Sequence, residues 1–143
     1  MKKINFFVLA IGTFLCGCAT GNHFSESSFT PLFNGKNLDG WNFVGEGKKY
    51  LVENGNIVAP EGVTGHLFSD KEYSDFVLRL EYKLTPGGNN GVGIRAPLDG
   101  GGRFSFVGME VQLLDDTSPK YAAIKPWQQC GSVYGLEIGR AHV

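Results

Sequence analysis

Apolar and polar residues alternate with a period of two along much of the chain, and that pattern predicts strands with one covered face. DFVLRLEYKL at 75–84 alternates without a break: Phe76, Leu78, Leu80, Tyr82 and Leu84 fall on one side, Val77, Arg79, Glu81 and Lys83 on the other. In GVGIR at 91–95, Val92 and Ile94 oppose Gly91, Gly93 and Arg95. In GMEVQLL at 108–114, Met109, Val111 and Leu113 share a face and leave Glu110 and Gln112 on the other. The connection TPGGNN at 85–90 reverses the chain. It predicts that the 75–84 and 91–95 strands pair, with Glu81 near Arg95.

Shorter segments extend the pattern. KYLVENGNIVA at 49–59 reads as a hairpin turning on Asn54-Gly55, a pair suited to left-handed dihedrals. GHLFS at 65–69 and CGSVY at 130–134 read as short strands, with His66 on a polar face. FTPLFNGKNLDGW at 29–41 reads as an opening strand bracketed by Asn34-Gly35 and Asp39-Gly40, with Trp41 as a core or clasp residue. Residues 117–129, with Pro119, Pro126 and Trp127, read as a long loop of the kind that often binds ligands. Nowhere does a helical period persist. Short strands between glycine-rich turns predict an all-β sandwich or barrel.

The first residues differ. Met1-Lys2-Lys3 precedes an apolar run at 4–15 that is shorter than the ~20 residues a membrane span needs. Leu15-Cys16-Gly17-Cys18 then resembles a bacterial lipobox, so 1–18 reads as a lipoprotein signal peptide outside the fold. Cys18 would carry lipid and become the mature N-terminus, and 19–28 would be a flexible tether. The expected location is the cell envelope, periplasmic or at the outer-membrane surface, with the membrane engaged through the lipid anchor only. Cys130 is then the one cysteine left in the body, so no intradomain disulfide is expected. At the other end, IGRAHV at 138–143 breaks the alternation and matches one reading frame of a common sequencing adapter. It reads as a non-native tail, leaving 29–137 as a partial domain truncated at its C-terminus.

Composition narrows the choice of partner. The 143 residues carry a formal net charge of −1 without a Lys/Arg cluster, which points away from nucleic acid and from acidic partners. One domain fits that length. The 21 glycines and 11 phenylalanines suit a β fold with tight turns. A lone His66 is more often solvated or hydrogen-bonded than a metal ligand. On the polar face, two bare glycines beside Arg95, Glu110 and Gln112 admit two readings. One is a floor for a sugar ring with hydroxyl partners around it. The other is an ordinary cross-strand ion pair between Arg95 and Glu110 on a solvated sheet.

FTPLFNGKNLDGW, YSDFVLRLEYKL, GGNNGVGIRAP, VGMEVQLLDD and KPWQQCGSVYG, taken in order, resemble the 3-keto-disaccharide hydrolase domain family. The family is also described as 3-keto-glucoside 1,2-lyase and 3-keto-2-hydroxy-glucal hydratase. The resemblance implies a concanavalin-A-like jelly roll of two antiparallel sheets with sugar on the concave face. It also implies elimination and hydration of 3-keto-glycosides, with an upstream sugar 3-dehydrogenase to make them and a divalent metal ion as a possible Lewis acid.

Carried over by motif, Asn90 and Arg95 match the family's Asn-x-Gly…Arg, and Glu110, Gln112 and Asp115 match its Glu-x-Gln…Asp. The implied catalytic set is Glu110 as base or metal ligand, Arg95 on the substrate's polar edge and Gln112 as an orienting group. The implied substrate-binding set is Asn90, Gly91, Gly93, Asp115 and Trp127. One position departs from the pattern: Cys130 stands where many members carry histidine. Two other readings share the same sheet. They are a non-catalytic carbohydrate-binding module using Trp127 and Tyr121, and a glycosidase built on Glu81 and Glu110.

Overall fold

The computed structural model describes residues 4–13, 28–97 and 108–136, the first of these as backbone only. The lipidation position Cys18, all but Ser28 of the 19–28 tether, and the 138–143 tail lie outside the described residues. The chain is all-β: β1 (Ile4–Thr13), β2 (Trp41–Val44), β3 (Leu51–Glu53), β4 (Asn56–Ala59), β5 (His66–Ser69), β6 (Phe76–Lys83), β7 (Asn89–Ile94) and β8 (Met109–Leu114). They form a four-stranded sheet in the order β3-β4-β1-β6 and two antiparallel pairs, β2-β5 and β7-β8. No helix among the described residues is long and apolar enough to cross a membrane.

The hairpin at 49–59 forms as β3 and β4, and its turn has positive φ at both Asn54 (51°) and Gly55 (75°). This two-residue turn keeps the right-handed twist of the strands it joins. It delivers Ile57, Val58 and Ala59 to the core at 1–3% exposure. Full burial of Ile57 and Val58 contributes about 1.5–3 kcal/mol each.

Three expectations are corrected. First, β6 pairs with β1 and not with β7, so Glu81 is set opposite Phe7 and not beside Arg95. The Thr85–Gly88 turn does form, closed by the Gly88 N–H donating to the Thr85 carbonyl at 2.7 Å. A tight turn fixes chain reversal but not ladder partners, and here β7 is taken up by β8. Second, the apolar face of β6 fades along its length: Phe76 to Leu80 are half-buried, whereas Tyr82 is 39% exposed. On the opposite face only the Arg79 end is covered, its guanidinium lying 4.1 Å from the centroid of the buried Phe29 ring, while Glu81 and Lys83 are exposed. Third, 29–41 is no continuous strand. Asn34 Oδ1 accepts the N–H groups of Lys36 (2.8 Å) and Asn37 (3.0 Å), so its side chain captures the backbone in a turn. The strand begins only at Trp41, whose indole N–H closes the loop on the Leu32 carbonyl at 3.1 Å.

The segment read as a leader also takes part. Ile4–Thr13 runs antiparallel to β4 at one edge and to β6 at the other, with a register irregularity between Leu9 and Ile11. An apolar run of ten residues satisfies its backbone groups in a ladder when a gap between two strands is offered. The pairing describes the chain before any processing.

Gly65, buried where β5 begins, has no room for a side chain. A Cβ there would lie 2.5 Å from Cε2 of Phe43 and 2.8 Å from the Val44 carbonyl oxygen. Since backbone cannot yield as a flexible side chain does, Gly65→Ala is expected to destabilise the protein by ~1–3 kcal/mol. Urea unfolding followed by tryptophan fluorescence measures this, and an unchanged midpoint would contradict it.

Candidate functional site

The β7–β8 ladder sets the face on which the candidate residues lie. Gly91 is opposite Gln112 and Gly93 opposite Glu110, while Val92 meets Val111 and Ile94 meets Met109. Directly opposed residues share a face, so the two glycines lie beside Glu110 and Gln112, as the alternation predicts. The 130–134 segment docks on the free edge of β8 through a bridge between Val111 and Val133. Gln112 N–H donates to the Ser132 carbonyl at 2.9 Å and Tyr134 N–H to the Glu110 carbonyl at 2.8 Å. Three backbones thus carry one platform, with rungs Gly93–Glu110–Tyr134 and Gly91–Gln112–Ser132.

The two rungs have different environments. The turn Pro126–Gln128 folds over the second: the Ser132 hydroxyl donates to the Gln129 carbonyl (2.7 Å) or the Trp127 carbonyl (3.0 Å). Gln112 is left 4% exposed and Ser132 1%. The Oε1 of Gln112 is buried without a partner. The first rung remains open. A Cβ on Gly93 would meet nothing within 4 Å. Trp127 packs edge-on against Tyr134 at 5.3 Å between ring centroids and 82° between planes. Those aromatic rings stand beside the Glu110 rung, where an edge-to-face pair is rigid and largely apolar.

Glu110 leans diagonally across the platform. A Cβ on Gly91 would fall 2.5 Å from its Cγ and 2.7 Å from its Cδ, so the glycine is what leaves room for the carboxyl. Half-burial pushes its pKa above the ordinary 4.5. A carboxylate raised in this way is a stronger base, a useful property if it is to take a proton.

The remaining predicted residues are spread out. Arg95 is exposed, with φ of 55°, one position beyond β7. The left-handed residue ends the alternation, and the solvated Arg95–Glu110 ion pair does not form among the described residues. Asn90 belongs to the opposite face, opposed to Leu113. Its side chain interacts with the hydroxyl of Tyr50, and burial of that phenol raises its pKa, the larger effect, while Asn90 lowers it. Asp115 staples a turn: one oxygen accepts the Gly87 N–H at 2.7 Å and the other the Thr117 hydroxyl at 2.6 Å. Those donors, Thr117 first, lower its pKa. Glu81 is exposed on β6.

Sequence reading missed Tyr134 and Ser132 as members of the platform, although they continue the alternation of 130–134. It also missed a cleft of about 420 Å³ beyond the covered rung, between the end of β6 and the 114–117 turn. There the Tyr82 hydroxyl and the Cys130 sulfur are 3.1 Å apart, and the Cys130 N–H donates to Asp116 Oδ2 at 3.2 Å. The neighbouring sulfur first, then burial, push the Tyr82 phenol up to about 12, so it stays protonated. As for a divalent ion, no three His, Cys, Asp or Glu side chains come together among the described residues. The donor set described does not fit one, and no step below is routed through it. His66 sits half-buried on β5, and that burial lowers its pKa.

The raised pKa of Glu110 makes a stability prediction. The folded state holds its proton to higher pH than the unfolded state, so stability falls as pH rises from the unfolded value through the folded one. Glu110→Gln removes that dependence. The variant is expected to gain stability relative to the parent as pH rises from the unfolded carboxylate value through the raised folded one, with a plateau above. Thermal unfolding of both proteins across that range measures the difference; a gap independent of pH would contradict the assignment.

No curated protein and no solved structure matches this chain. The sequence model of one family, described as the 3-keto-alpha-glucoside-1,2-lyase-like domain, matches residues 28–142, which include the platform, the cleft and most of the strands. The chain therefore belongs to the 3-keto-alpha-glucoside-1,2-lyase-like domain family.

Proposed function

We propose that this domain cleaves 3-keto-glycosides by elimination and hydration, with Glu110 as the base. The observation that carries the reading is the half-buried Glu110 carboxyl, leaning over one glycine beside a second that is bare, within a chain of this family. A ketone at C3 acidifies the proton on C2. Glu110 takes that proton, the C–H electron pair forms the enolate, and its collapse breaks the C1–O bond. The departing oxygen takes a proton and leaves as an alcohol, giving the 3-keto-2-hydroxy-glucal. Water then adds across C1 and C2, so the sum is hydrolysis. The floor at Gly93 suits the flat face of a pyranose ring, and the Trp127–Tyr134 pair gives it an apolar wall. Arg95, one residue beyond β7, is the candidate for the substrate's outer polar edge. The substrate must reach the domain already oxidised at C3, which requires a sugar 3-dehydrogenase upstream. We further propose that the domain works at the cell envelope, held through lipid on Cys18.

The aromatic pair alone would also support a second reading, a carbohydrate-binding module that holds sugar and leaves it intact. Incubating the protein with methyl 3-keto-α-glucoside separates the two: methanol release means an enzyme, retention without turnover a module. For the enzyme, Glu110→Gln is expected to lower kcat by at least about 100-fold. The low-pH limb of kcat/KM should fall above the ordinary carboxylate value and vanish in that variant. Full turnover by Glu110→Gln would remove Glu110 from the mechanism. Gly93→Ala meets no protein atom, so it is expected to raise KM several-fold with thermal stability unaltered. Unchanged KM would mean that the floor is not where the ring lies.

A further inference from the structure

The elimination needs a proton donor for the departing oxygen as well as a base for C2, and the open rung carries a candidate. Tyr134 stands directly opposite Glu110: its N–H donates to the Glu110 carbonyl at 2.8 Å, next to the Val111–Val133 bridge. Side chains opposed in this way share a face of the sheet, with Cβ atoms roughly 4.5–5.5 Å apart. The half-buried Tyr134 ring is braced edge-on by Trp127. Its hydroxyl is oriented by a neighbour. The Gln128 side-chain oxygen accepts the Lys125 N–H at 3.0 Å, which turns the amide nitrogen towards Tyr134, 3.5 Å from the phenol oxygen. The phenol oxygen is the acceptor in that contact, so its own hydrogen is left to point elsewhere. An N–H aimed at the same oxygen stabilises the charge that remains when the proton departs.

Other acids nearby in the chain are committed elsewhere. The Tyr121 hydroxyl donates to the Gly87 carbonyl at 3.1 Å, and Asp115 accepts from Gly87 and Thr117. Tyr82 lies against Cys130 in the cleft, past the covered rung. We infer that Tyr134 is the general acid of the elimination, a catalytic residue paired with Glu110. The inference rests on the elimination reading above. C1 and C2 are adjacent atoms, so a base and an acid on neighbouring strands of one face can bracket them. As the C1–O bond breaks, its electron pair goes to the departing oxygen, which takes the Tyr134 proton and leaves as an alcohol. In the hydration step, the water that adds to C1 gives a proton to the phenolate. Glu110 returns its own proton to C2, and both residues are reset.

Leaving groups of unequal basicity test it on the full chain. Methyl 3-keto-α-glucoside must expel an alkoxide unless its oxygen is protonated, whereas p-nitrophenyl 3-keto-α-glucoside expels a stable phenolate that needs no proton. Tyr134→Phe keeps the ring against Trp127 and removes only the hydroxyl. It is expected to lower the ratio of kcat/KM values, methyl over p-nitrophenyl, by at least about 100-fold, the usual scale of general acid catalysis. Turnover of the p-nitrophenyl substrate in the same variant shows that it is folded. An unchanged ratio, whether both rates fall together or neither moves, overturns the acid role. Tyr134 would then be a wall, or would serve the C3 oxygen that both substrates share, and the elimination reading would stand. Failure of the parent protein to turn over either glucoside sinks that reading and the acid role with it.

Discussion

The register between β7 and β8 is the constraint on which the candidate site depends. With Gly91 set against Gln112 and Gly93 against Glu110, two positions without side chains lie beside two long polar ones. A slip of one residue would carry Glu110 to the face that holds Val92 and Ile94. The register is pinned from both sides. Val92–Val111 and Ile94–Met109 pairs favour the apolar face, and the bridge from Val111 to Val133 adds a third backbone. Gly91 then performs a second task by leaving space for the Glu110 carboxyl.

The 126–129 segment divides what would otherwise be one continuous polar face. Its turn is closed by Gln128, whose side chain accepts the Lys125 N–H at 3.0 Å, and by the Ser132 hydroxyl on the carbonyls of Trp127 and Gln129. Covering Gln112 and Ser132 leaves an open rung at Glu110 and a cleft at Cys130, separated by buried polar groups. The unpartnered Gln112 oxygen lies in that divide. It is an unfavourable feature for folding alone, and such features gather where a protein meets its ligands.

Much of the strand content was legible because it rests on local rules. The 49–59 hairpin follows from Asn54-Gly55, and β7 and β8 follow from strict alternation, as does the face shared by Glu110 and Gln112. What was not legible is instructive. Arg95 has the right parity but ends its strand with a positive φ, so counting by twos fails one residue too late. Asn90, adjacent to the glycines in sequence, falls on the far face with Tyr50 because neighbours in a strand point apart. Alternation puts Tyr82 with the core, yet it belongs to the cleft beside Cys130, 48 positions away in the chain.

By itself the amino-acid sequence determined the all-β class, the 49–59 hairpin, the side of the sheet on which Glu110 lies, and the motifs of the family. These depend on residue type and spacing over a few positions, where steric limits on the backbone and the pleat of a strand leave little choice. Tertiary structure alone decided that β6 ladders with β1 and not with β7, that a turn buries Gln112 while Gly93 stays bare, and that Tyr82, Thr85 and Cys130 border one cleft. Those outcomes depend on which distant segments compete for an edge or a face, and a competition between segments far apart in the chain leaves no periodic mark in either of them.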